Sequence, residues 1–93
     1  MTMELLDTVL KTAQAKSDKE GYFTLPEGTS LTLYVAHGAV GMTINRVEAV
    51  KPDGELILAR TTKRETFVLA RADVYAVASE GSIGQPVRRA GFG

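Results

Sequence analysis

A chain of 93 residues, 44% apolar and 24% charged, has the composition of one globular domain, neither disordered nor membrane-embedded. Lysine plus arginine equals aspartate plus glutamate at 11 each, so no global field draws the chain onto nucleic acid or an anionic membrane, and any such binding needs a local patch. The absence of cysteine excludes disulfides, thiolate zinc sites and thiol nucleophiles.

From Met3 to Lys16, residues Leu5, Leu6, Val9, Leu10 and Ala13 recur at helical spacing, with Glu4, Asp7, Lys11 and Thr12 on the other side. Thr2 suits the N-cap, Glu4 and Asp7 suit the positive end of the helix dipole, Lys16 and Lys19 suit the negative end, and Gly21 is a stop. The apolar stripe reads as packing surface that covers one open end of a barrel. Glu4 and Asp7 also stand where a signal peptide would be basic, and no window approaches the ~20 apolar residues of a membrane span. A cytoplasmic protein with no membrane contact is the expectation.

Tyr22–Leu25 is a short β-prone run ended by the turn Pro26-Glu27-Gly28. Leu31, Leu33 and Val35 then alternate with Thr32, Tyr34 and Ala36, the period of a half-buried strand, and His37-Gly38 turns the chain. Val40, Met42 and Ile44 continue the alternation, but Val47 and Ala49 fall on the other parity. Such a switch predicts a bulge near Asn45-Arg46 that bends a long strand. Lys51-Pro52-Asp53-Gly54 predicts a reversal. Leu56–Ala59 reads as a central strand, Arg60–Glu65 as an exposed hairpin loop, Phe67–Ala70 as a strand, Arg71-Ala72-Asp73 as a 3₁₀ turn, and Val74–Ala78 as a last strand.

This order predicts a mainly β fold: an N-terminal helix followed by a small, strongly bent five-stranded antiparallel barrel over residues 1–79, with 80–93 a flexible tail rich in glycine. The expected core is Leu31, Leu33, Val35, Met42, Ile44, Val47, Leu56, Leu58, Phe67, Leu69, Val74 and Val77. The last strand, VYAVA, carries no lysine, proline or inward charge to protect an exposed edge. Pairing with an edge of another subunit answers that, and a head-to-tail arrangement closes a ring. The residues expected at this oligomer edge are Phe67, Leu69, Val74, Tyr75 and Val77.

From about Ser30 to Ser79 the chain resembles the Sm-like proteins, including the bacterial Sm-like RNA chaperones, which share an N-terminal helix followed by five strands. The residues that carry the likeness are Val35-Ala36-His37-Gly38 at the end of the first strand, Asp53-Gly54-Glu55-Leu56-Ile57-Leu58 after the second, and Leu69-Ala70-Arg71-Ala72-Asp73-Val74 at the last corner. Departures are a longer segment from Gly38 to Asp53, Ile57 where many members carry a base-reading asparagine, Glu55 where a stacking residue is common, and Ala72 in place of the corner glycine. The resemblance implies a homo-oligomeric ring of about five to seven subunits whose pore-side loops bind single-stranded RNA. It points to Asp53 and Arg71, with Lys63 and Arg64 as further cationic contacts.

Arg71 suits either a structural pair with Asp73 or Asp53 or a ligand contact. His37, the lone histidine, has no partners at metal or triad spacing and reads as a turn residue that tolerates an unusual φ. Arg60 and Arg64 have the spacing of the first motif of the cyclic-dinucleotide-binding PilZ barrels, whose second motif is absent, so this cluster reads as a solvated loop. Arg88-Arg89 add at most a small nonspecific phosphate contact. No glycine-rich phosphate loop or carboxylate pair asks for catalysis, and neither an enzyme nor a cofactor is expected. The alternative function is a protein-interaction or assembly module on the same barrel, without nucleic acid.

Overall fold

The computed structural model describes residues 1–81. Its elements are a helix α1 (Met3–Thr12), two short strands β1 (Lys16–Ser17) and β2 (Phe23–Thr24), the main strands β3 (Thr29–His37), β4 (Val40–Asp53), β5 (Leu56–Thr61) and β6 (Thr66–Ala70), a 3₁₀ turn (Arg71–Asp73), and β7 (Val74–Gly81). Thr2 caps α1, its hydroxyl accepting from Leu5 N at 3.1 Å. The helix stops earlier than the glycine signal predicts. Gln14 takes the left-handed conformation (φ 61), and the N–H groups of Gln14 and Ala15 donate to the carbonyls of Lys11 and Leu10, a Schellman ending made without glycine. Lys16 and Ser17 therefore belong to β1, paired with β2 across a turn in which Asp18 Oδ1 accepts from the backbone of Glu20 and Tyr22.

The sheet is antiparallel throughout and curls into a half-barrel. β3 lies between β4 and β7, and β5 lies between β4 and β6. Among the described residues no ladder joins β6 to β7, so the predicted barrel is a curled sheet that stays open at that seam.

The bend is made in β4. Leu31 pairs with Val47 and Leu33 with Ile44, which leaves one extra residue on β4 between Ile44 and Val47, and Arg46 there adopts φ 58. This is the bulge that the parity switch predicts. A second register shift places Glu48 as an extra residue against β5, between the pairs Val47–Thr61 and Ala49–Arg60. The two bulges swing the second half of β4 away from β3, and Ala49 and Val50 pair instead with β2 on one side and β5 on the other.

Turns follow glycine closely. His37 pairs with Val40 across Gly38-Ala39, and Asp53 with Leu56 across Gly54-Glu55, with glycine at φ 63 and 62 in the first position, as two-residue hairpins demand. The reversal thus comes after Pro52 and Asp53, both still in β4, and the positive φ predicted for His37 falls on Gly38.

Leu31, Leu33, Val35, Ile44, Val47 and Val74 are buried as expected, and Phe67, Leu69 and Val77 pack half-buried against them. Leu6, Leu10 and Ala13 of the helix, with Leu25, join the same cluster. Two core expectations fail. In β5 it is Ile57 and Ala59 that face inward, leaving Leu56 43% exposed and Leu58 half-buried, because an unbroken apolar run carries no parity. Met42 is 46% exposed because β5 begins pairing only at Val47, so no strand covers the first half of β4 on that side. β7 runs on through Glu80 and Gly81, where the tail was expected to begin, and the rest of that tail, 82–93, lies outside the described residues.

Candidate functional site at the open edges and the Arg71 corner

The 3₁₀ turn of Arg71–Asp73 is the hinge between the two open edges, and Arg71 holds it in place. Its Nη1 donates to the carbonyl of Gly54 at 2.6 Å and its Nε to that of Met1 at 3.2 Å, while its own backbone N–H donates to Glu55 O at 2.8 Å. The N-terminal ammonium donates in turn to Arg71 O at 2.6 Å. One side chain thus ties the start of α1, the β4–β5 turn and the 3₁₀ corner together. Arg71 pairs with neither Asp73 nor Asp53. Asp73 instead meets His37, whose Nδ1 lies 3.1 Å from its Oδ1.

The residues to which the resemblance points separate into two groups. Asp53, exposed at the end of β4, adjoins the Gly54 turn that Arg71 holds. Lys63 and Arg64 lie in the β5–β6 turn, the full length of β5 away, on the order of 20 Å for a strand of this size. That turn is built on Thr61, whose buried hydroxyl accepts from the N–H groups of Lys63 and Glu65, and Arg64 closes it at φ 66. Arg60 lies on the outer face: its guanidinium carbon is 4.9 Å from the Tyr22 ring centre, and its buried Nε sits 3.4 Å from Glu48 Oε2 without hydrogen-bond alignment. Arg46, which sequence reasoning used only to place a bulge, stands beside this hairpin, its carbonyl accepting from Thr62 N at 3.0 Å.

At the seam, β6 has β5 on one side and β7 has β3 on one side, and each presents its other row of backbone groups unpaired among the described residues. Of the expected edge residues, only Tyr75 is outward, 65% exposed and with its ring 6.2 Å from that of Tyr34. It is the extra residue of a bulge between the pairs Val35–Val74 and Tyr34–Ala76. Val74 is fully buried, and Phe67, Leu69 and Val77 turn toward the core, so those four contribute backbone to the edge and side chain to the interior. Val68, 60% exposed, is the outward residue of β6 that the sequence did not single out.

Among the described residues no group of three His, Asp or Glu is placed to hold a metal, and no helix is long and apolar enough to cross a membrane. No family model matches the chain, and no curated protein or solved structure matches it.

Proposed function

We propose that the chain is the subunit of a ring-forming, Sm-like barrel that presents its loops to single-stranded RNA. The observation that carries this reading is the pair of open edges, β6 and β7, which belong to one curled sheet and are joined by only the three-residue turn Arg71–Asp73. β6 carries no charge or proline to discourage pairing, and β7 carries a charge only near its end, at Glu80. Laying β6 of one copy against β7 of the next satisfies both rows of backbone groups and covers Val68 and Tyr75. That contact is head-to-tail and closes a ring where the rotation between copies allows, and the Sm-like resemblance implies about five to seven copies.

Sedimentation velocity tests the assembly. The wild type is expected as one discrete oligomer, and Val68→Lys or Tyr75→Lys, each placing a charge at the seam, is expected to give folded monomers. Val74→Lys is unsuitable, since that side chain is in the core.

A second reading, an assembly module that binds no nucleic acid, draws support from one observation. The guanidinium of Arg71, which the resemblance would offer to RNA, already donates to two backbone carbonyls. A ring that fails to shift the anisotropy of a labelled oligonucleotide at low salt selects this second reading.

A further inference from the structure

We propose that single-stranded nucleic acid lies in the groove between the uncovered first half of β4 and the β5–β6 hairpin, with Arg46 and Lys63 on its phosphates and one base against Phe67. The inference rests on the RNA reading above and moves the contact away from Asp53 and Arg71.

The groove exists because of the bend. β4 pairs with β3 from Val40 to Val47 but with β5 only from Val47 onward, so a gap opens beside Thr43–Arg46. It holds about 260 Å³ and is lined by Ile44, Asn45, Arg46, Lys63, Glu65 and Phe67, with Thr43 and Thr61 at its ends. That is below the ~300–1,000 Å³ of sites that engulf a free small molecule, and suits one unit of a chain that enters and leaves. Phe67, half-buried above the core residue Ile44, gives an apolar face for a flat base, Asn45 and Glu65 give hydrogen-bonding groups for base edges, and Arg46 and Lys63 give the cations.

Two further observations point the same way. Charge is unevenly spread among the described residues: Arg46, Lys63 and Glu65 line the groove, and Arg60, Arg64 and Glu48 line the surface beside it, four cations to two carboxylates in a chain that is neutral as a whole. Glu48 is beside Arg60, on the outer face. Arg46 and Arg64 both occupy left-handed backbone, at φ 58 and 66, where glycine is the undemanding residue. Both arginines thus stand at positions whose backbone disfavours them, which directs attention to their side chains. Arg64 and Thr62 continue the surface past the hairpin tip toward Arg60, so a strand leaving the groove meets further cations.

The left-handed backbone also supplies a clean test, because Arg46→Gly removes the cation and eases the fold. The full chain is titrated into a fluorescein-labelled oligouridylate and an oligoadenylate of about twelve nucleotides, from about 50 to 200 mM salt, and anisotropy is read. Arg46→Gly with Lys63→Ala is expected to weaken binding at least about tenfold and to flatten the slope of log K against log salt by about 1.4, the share of two phosphate contacts on a single strand. Lys16→Ala with Lys19→Ala, an equal loss of two charges on β1 and the β1–β2 turn, is expected to stay within about twofold. Phe67→Leu, which keeps an apolar wall but removes the ring, is expected to cost about fivefold or more with an unchanged salt slope. Wild-type affinity and slope in the double variant, with its circular dichroism unchanged, overturn the groove while leaving the RNA reading in place. No binding by the wild type to either oligomer at low salt overturns both.

Discussion

At the scale of single residues, three non-glycine side chains in left-handed backbone among the described residues, Gln14, Arg46 and Arg64, mark where the chain departs from its local preferences. Gln14→Gly and Arg64→Gly are expected to raise stability by about 0.5–1 kcal/mol each, seen as a higher melting temperature, because glycine adopts this conformation without a Cβ clash. Gly54→Ala is the converse case. A methyl group there meets open space, but at φ 62 it is strained, so a loss of about 1 kcal/mol is expected from backbone alone. Arg71→Ala removes two charge-assisted bonds to Met1 and Gly54 and is expected to cost about 1–2 kcal/mol in urea denaturation, with Arg71→Lys recovering little because a lysine cannot reach both carbonyls with one planar fork. This also bears on any RNA measurement: a binding defect in Arg71→Ala is interpretable only beside its stability.

At the scale of elements, the strands and turns were legible where the sequence has a period or a glycine. The alternation of Leu31, Leu33 and Val35 and the parity switch before Val47 were enough to find β3, β4 and the bulge at Arg46. The unbroken run Leu56–Ala59 was not, because either parity buries leucine or isoleucine, and only pairing with β4 and β6 decides that Ile57 is inside. That register is testable: Ile57→Ala is expected to cost about 3–4 kcal/mol and Leu56→Ala less than about 1 kcal/mol, measured by chemical denaturation. The end of α1 was missed for a different reason, since Gln14 performs the role that sequence reading assigns to glycine. The groove beside β4 was invisible in the sequence. It arises from where pairing with β5 starts, a tertiary fact, and Arg46 and Lys63 meet there from positions far apart in the chain.

At the scale of the whole molecule, the seven strands and one helix leave a seam at which the sheet closes neither on itself nor against another element among the described residues. The core is small, and exposed Val68 and Tyr75 sit beside unpaired backbone. A chain of this size gains stability from covering such edges, and the 3₁₀ turn fixed by Arg71 sets the angle between them. Assembly is thus the property on which the proposed function depends, and the proposed nucleic-acid binding comes second to it. Sedimentation velocity of the full chain at about 100 μM, near the concentrations at which weak edge pairing is populated, tests this most directly. A single species with the mass of about five to seven 10.0 kDa chains is expected, reduced to a folded monomer by Val68→Lys or Tyr75→Lys. A wild-type protein that sediments as a monomer at that concentration contradicts it.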